Sequence, residues 1–165
     1  MSIKIIGIDP GLAATGIGIV QGQSVKVTQY AYGVVKTPPQ DPQPVRLEKI
    51  YNHLHTLFRK ESPDLLIVED SFSLEKYPQS GITLGKVSGI VLLAGQQTHV
   101  AAFEIPVREA KQVLTGNGNA SKEQLEKAVR SILNARQPIR PYHASDALGL
   151  ALIGLFRYAD QKLSG

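Results

Sequence analysis

Three carboxylates and one imidazole stand where apolar segments of the chain end. Asp9 closes a short β-branched run, Ile3-Lys4-Ile5-Ile6-Gly7-Ile8, which reads as a buried strand. Glu69, followed by Asp70, closes a second such run, Leu65-Leu66-Ile67-Val68. His143 and Asp146 open a stretch that is apolar almost all round, through Ala147, Leu148, Leu150, Ala151, Leu152, Ile153, Leu155 and Phe156, the pattern of a buried helix. Three residues apart, they share one face of it. A carboxylate at the end of a core element is costly unless something pairs with it, and several together repel one another or take up protons. A divalent cation removes that cost. Oxygen donors with a single imidazole suit Mg²⁺ or Mn²⁺ better than Zn²⁺. Two such ions about 4 Å apart would clamp a phosphodiester, one activating water and one stabilising the leaving oxygen. Taken singly, each residue has a plainer role. Asp9 before Pro10-Gly11 could be a turn aspartate, and Asp146 a charge in the first turn of a helix. His53 and His55 lie two apart on a helical pattern and cannot face one site, and neither they nor His99 read as ligands.

The elements that must position these residues follow from the pattern. Gly11, Gly16 and Gly18, with Ile17, Ile19 and Val20, suggest a tight turn into a second strand. Residues 24–36 alternate as a third strand, after a hairpin turn at Gln21-Gly22-Gln23. A proline-rich loop over residues 37–44 leads into an amphipathic helix carrying Leu47, Ile50, Tyr51, Leu54, Leu57 and Phe58, ended by Ser62-Pro63-Asp64. The crossover from this helix into residues 65–68 predicts a strand parallel to the first. Residues 71–81 read as a loop and residues 83–97 as a helix. Its small residues Gly85, Ser88 and Gly89 would admit another backbone, either the sheet or a second subunit. A strand over residues 100–105 and a short helix from Pro106 toward Leu114 come next. A turn at Thr115-Gly116-Asn117-Gly118-Asn119 precedes a helix whose start carries Ser121 and Gln124 as a capping box. The expected fold is α/β: three antiparallel strands, then a parallel fourth and fifth, with helices on both faces.

Composition bounds the function. With 165 residues the chain is long enough for one domain, residues 1–165, with a full core. Cysteine is absent, which removes disulfides and thiolate chemistry. The N-terminus shows no signal-peptide pattern and no stretch is apolar enough to span a membrane, so a cytoplasmic location is expected. The net charge of +4 is uneven. Residues 1–70 balance at seven basic and seven acidic side chains, whereas residues 71–165 carry eleven against seven. A bound polyanion should therefore touch the second half. Lys76, Lys86, Arg136 and Arg140 are basic residues there with no assigned role.

A series of motifs, in order across nearly the whole chain, resembles the RuvC family of Holliday-junction resolvases. It consists of Gly7-Ile8-Asp9-Pro10-Gly11 with Thr15-Gly16; Val68-Glu69 with Phe72; Leu84-Gly85 and Gly89; Lys111-Gln112; Gly116-Asn117-Gly118 with Ala120 and Lys122; and His143-Ala144-Ser145-Asp146-Ala147-Leu148. The resemblance implies a ribonuclease-H-like fold, a homodimer, and two-metal cleavage of four-way DNA junctions in recombination and repair, in partnership with a branch-migration helicase complex. Asp9, Glu69 and Asp146 match the family's metal-binding acids. His143 matches a position that is often aspartate and in some members histidine. The stretch Ser73-Leu74-Glu75-Lys76-Tyr77-Pro78-Gln79-Ser80 departs from the family pattern where its DNA-reading loop lies, which leaves the sequence preference at the cut open.

The residues expected to meet DNA also have direct readings. Phe72, close to an acidic site, could stack on an unpaired base, a contact worth about 1–3 kcal/mol, or fold back into the core. Gly116 and Gly118 before a capped helix, with Lys122, would offer backbone N–H groups, a helix dipole and a cation to one phosphate, and Lys111 could serve the same backbone. His143 could be a metal ligand or a general acid. The acids fit two other functions as well: a ribonuclease-H-like nuclease acting on RNA or an RNA–DNA hybrid, and a non-catalytic junction-binding module. An actin-like ATPase or kinase needs two such domains, for which this chain is too short.

Overall fold

The structure is a computed structural model that describes residues 1–70 and 78–158. Its centre is a five-stranded mixed sheet in the order β3-β2-β1-β4-β5. Strands β1 (Ile3–Asp9), β2 (Ala14–Gln23) and β3 (Lys26–Lys36) form an antiparallel meander. Strands β4 (Leu65–Glu69) and β5 (Ala102–Ile105) add to it in parallel. Helices α1 (Gln43–Glu61) and α2 (Pro78–Gln97) cover one face. Helices α3 (Val107–Thr115), α4 (Lys122–Ile132) and α5 (Tyr142–Tyr158) cover the other. This is the mixed sheet with helices on both faces that the pattern predicts.

The two cores follow the period of two along the strands. Ile6, Ile8, Leu66 and Val68 face α1 and α2, through Ile50, Leu54, Phe58, Val87 and Val91. Ile3, Ile5 and Ile67 face the other way, against Leu148, Ala151, Leu152 and Leu155 of α5. Each large side chain buried in this way contributes roughly 1.5–3 kcal/mol. Parallel pairing aligns Ile8 with Val68, so the next residues, Asp9 and Glu69, end their strands side by side on the α5 face.

Several boundaries differ from the sequence pattern. The β2–β3 turn lies at Ser24 and Val25, with Ser24 at φ 53°, and Gly22 is a strand residue beside an irregularity in the register. Helix α1 begins at Gln43, inside the proline-rich loop, because Pro44 fits a helix's first turn, where its missing N–H has no partner to lose. Helix α2 begins at Pro78 rather than residue 83. Strand β5 starts at Ala102, since the Val100 amide is held by the Gly95 carbonyl at 2.9 Å. The capping box forms as predicted, with Gln124 N–H donating to Ser121 Oγ and Ser121 N–H to Gln124 Oε1.

The glycines of β1 and β2 do more than turn the chain. A Cβ at Gly7 would lie 2.0 Å from the Ala147 carbonyl oxygen, one at Gly16 2.0 Å from that of His143, and one at Gly18 2.4 Å from the Leu148 amide. The backbone of α5 lies directly on these positions. By contrast, a Cβ at Gly85 or Gly89 would meet nothing within 4 Å among the described residues, so these two glycines do not seat the sheet of their own chain. Among the described residues, no helix is long and apolar enough to cross a membrane.

Candidate active site

Asp9 is the centre of the cluster. It is the last residue of β1 and only 6% exposed. The turn after it is staked at two points. Thr15 Oγ1 donates to the Gly11 carbonyl at 2.7 Å and accepts the Gly11 amide at 3.2 Å. Thr37 reaches the same turn, its amide donating to Ala13 O and its hydroxyl to Leu12 O. Neither threonine stands out by periodicity. Thr15 was visible in the sequence only as part of the first motif.

His143 and Asp146 lie in the first turns of α5, where the close seating on Gly16 brings the helix start against Asp9. His143 Nδ1 is 2.8 Å from Asp9 Oδ2, an imidazole N–H donating to the carboxylate, which leaves Nε2 for another partner. This bond holds the imidazole pKa above its usual value, against the opposing effects of burial and of Lys122. Glu69 ends β4 beside Asp9. Burial, a hydrogen bond with Asp9 and the charges of Asp9 and Asp146 push its carboxyl up to about 10, with Lys111 opposing. Asp146, 8% exposed, is pushed up to about 6 by burial and by Asp9, while Lys122, Lys111 and His143 pull it down. The four predicted site residues therefore form one electrostatic unit, with two lysines acting on it.

Without a cation, this unit holds protons where carboxylates would otherwise be charged. Asp146 Oδ1 is buried and has no hydrogen-bond partner among the described residues. Among the described residues, no three acidic or imidazole side chains stand in an arrangement that could hold one ion as they are. The donor chemistry nevertheless fits a hard divalent cation: carboxylate oxygens, one of them orphaned, and one imidazole nitrogen. Asp9, Glu69, Asp146 and His143 are the residues that would hold it, after loss of the extra protons and re-aiming of the carboxylates.

The flanking residues divide. Lys111 on α3 and Lys122 at the start of α4 both act on the acidic cluster. The backbone amides between them are already engaged. Gly116 N–H donates to Gln112 O, Asn117 N–H to Thr115 Oγ1, Gly118 N–H to Gln112 Oε1 and Asn119 N–H to Asn117 Oδ1. The charged groups beside this loop are therefore the ammonium groups of Lys111 on α3 and Lys122 on α4, and the loop's own amides are held within it. Gly116 is required for a different reason. It caps α3 at φ 77°, a left-handed conformation that favours glycine. Phe72 and residues 73–77 lie outside the described residues.

Comparison with known proteins agrees with this architecture. The profile of the family "Crossover junction endodeoxyribonuclease RuvC" matches residues 5–154. The crossover junction endodeoxyribonuclease RuvC of Syntrophomonas wolfei subsp. wolfei is 34% identical over 156 residues, 94% of this chain and 90% of the relative. A structure of Thermus thermophilus RuvC superposes with a TM-score of 0.84 at 32% identity, covering 97% of each chain. T. thermophilus RuvC in complex with Holliday junction substrate superposes with a TM-score of 0.89 at 31% identity, covering 96% of each.

Proposed function

The chain belongs to the RuvC family of crossover junction endodeoxyribonucleases, and we propose that it resolves four-way DNA junctions at a centre made by Asp9, Glu69, His143 and Asp146. It is a Holliday-junction endodeoxyribonuclease, and its family implies dependence on a divalent metal. The ions we assign are two Mg²⁺ per site, with Mn²⁺ able to substitute. When bound, they would supply an activated water and stabilisation of the leaving oxygen. The observation that carries this reading is the meeting of the four side chains in one unit, with an orphaned buried oxygen on Asp146.

The chain's own groups have separable tasks. Asp9, between Glu69 and His143, fixes the orientation of both. Lys111 and Lys122 bind DNA phosphates beside the acids and offset the repulsion between carboxylates and backbone. Gly116 and Gly118 shape the loop between those lysines: a Cβ at Gly118 would crowd the Arg108 side chain at 3.1 Å. Phe72 stacks on an unpaired base at the junction. The working unit is a homodimer, because a four-way junction has near two-fold symmetry and a C₂ pair presents two identical sites to it. Its interface is assigned to the outer face of α2. There Ile82 is 62% and Leu93 48% exposed, and Gly85 and Gly89 leave room for a partner's backbone. The unit works in the cytoplasm, on junctions handed over by a branch-migration helicase complex, with residues 1–165 acting as one nuclease domain.

A panel of matched substrates tests the reading: an immobile four-way junction, duplex, single strand and RNA–DNA hybrid, each with and without Mg²⁺. The expected result is Mg²⁺-dependent cutting of the junction far above the other three. Preferential cutting of the hybrid would favour a ribonuclease, and binding without cutting a non-catalytic module.

A further inference from the structure

Glu126 is a buried anion to which the chemistry above gives no task. It lies on α4 with 1% of its surface exposed, a depth that carboxylates reach only when paired. Its Oε1 accepts the Ile139 amide at 2.9 Å and faces Arg130 Nε at 3.4 Å, and its Oε2 faces Arg140 Nη1 at 3.6 Å. The Ile139 bond spans thirteen residues. It ties α4 to the segment that leads into α5.

That segment is held at three points near its end. The Ile139 side chain is fully buried. Arg140 Nη1 donates to the Ile139 carbonyl at 3.1 Å, and the guanidinium lies 4.3 Å from the centre of the Tyr142 ring. The next residue is His143. On the other side of the tie, Lys122 and Glu126 are four apart on one face of α4, and Lys122 is the cation that acts on His143 and Asp146. One carboxylate therefore joins the element that carries the cation to the element that carries the imidazole and the acid. Stability alone gives little reason for a charge at this depth, since replacing such a paired set together by apolar side chains of similar volume is often neutral or stabilising.

We propose that Glu126 is a positioning residue for junction cleavage: by holding the Ile139 amide and Arg140 it sets the start of α5, and with it His143 and Asp146, against Lys122. The inference rests on the resolvase reading.

Three variants of the full chain test it. Glu126→Gln keeps an oxygen for the Ile139 amide and loses the charge. Glu126→Met keeps the bulk and loses the acceptor, and Glu126→Ala loses both. For each variant that melts cooperatively, the readouts are junction affinity, single-turnover cutting rate at saturating protein and Mg²⁺, and Mn²⁺ affinity of the DNA-free protein by electron paramagnetic resonance. Glu126→Met, or Glu126→Ala if it alone folds, should cut about tenfold or more slowly and bind Mn²⁺ more weakly by a similar factor, the range found for groups that orient metal ligands. Its junction affinity should stay within about twofold of wild type, because the phosphate-binding lysines remain. Glu126→Gln should stay close to wild type in all three. A folded Glu126→Met that cuts and binds Mn²⁺ as wild type does would overturn the proposal, as would a Glu126→Gln as defective as Glu126→Met. If wild type itself fails to cut junctions, the resolvase reading falls, and the Mn²⁺ affinities alone decide the positioning role: loss in Glu126→Met supports it and equality overturns it.

Discussion

Asp9 accepts from His143, shares a hydrogen bond with Glu69 and raises the pKa of Asp146, so each residue's behaviour depends on the others. The Glu69 carboxyl goes from 4.5 to about 10 and that of Asp146 from 3.8 to about 6. A carboxyl with a raised folded pKa favours the folded state below its unfolded pKa, and that advantage is lost as pH rises through the folded value. The metal-free protein should therefore lose stability from these groups as pH rises from 4 to 6 at Asp146, and onward toward 10 at Glu69. Mg²⁺ held by these groups would offset the repulsion, so the gain in Tm on adding Mg²⁺ should grow from acid to mildly alkaline pH. Glu69→Gln should raise Tm of the metal-free protein at pH 8 by about 2–4 °C, or about 1 kcal/mol for a chain of this size, and shrink the Mg²⁺ response. Scanning calorimetry across pH with and without Mg²⁺ measures both. His143 makes a separate prediction. As a ligand it must be neutral, so cutting falls on the acid side, added metal moves that fall to lower pH, and His143→Asp keeps activity. As a general acid it must be protonated, so cutting falls on the alkaline side and Asp substitutes poorly. Rate–pH profiles at two metal concentrations for wild type, His143→Asp and His143→Ala separate the roles, and normal cutting by His143→Ala would remove both.

At the scale of elements, the site exists because α5 lies unusually close to β1 and β2. Gly16→Ala would drive a Cβ to 2.0 Å from the His143 carbonyl, whereas Gly33→Ala on β3 meets nothing within 4 Å. Thermal melts and cutting rates should show Gly16→Ala losing about 1–3 kcal/mol, the usual cost of overpacking, together with most of its activity. Gly33→Ala should be near wild type in both. Equal effects of the two would show that α5 is not seated as described. The sequence made the strands, α5 and the acids at their ends legible, because burial enforces a period of two, an all-apolar helix and a charge where the core stops. The seat itself was not legible. Gly16 and Gly18 read as a turn, since a pattern along one strand does not reveal which helix packs across it. Nothing in the sequence singles out Glu126, because its partner amide is thirteen residues away. The amides of residues 116–118 read as phosphate donors because the sequence does not show that the side chains of Thr115 and Gln112 turn back to accept from Asn117 and Gly118.

At the scale of the molecule, the described residues supply one such acidic centre, at one end of the sheet, and a four-way junction has two strands to cut. The outer face of α2, with Ile82, Leu93 and the open glycines, is where a second copy would restore that symmetry. Sedimentation at micromolar protein should give a dimer with and without junction DNA, and Ile82→Glu with Leu93→Glu should give a monomer that still melts cooperatively. The measurement that bears most directly on the whole account is strand-resolved cleavage of an immobile four-way junction by wild type and Glu69→Gln, with junction binding read in parallel. With Mg²⁺, wild type should nick two opposed strands at symmetric positions, and without it neither. Glu69→Gln should bind the junction about as well and cut neither strand. A Glu69→Gln that cuts at the wild-type rate, or a wild type that nicks without a divalent metal, would contradict the account.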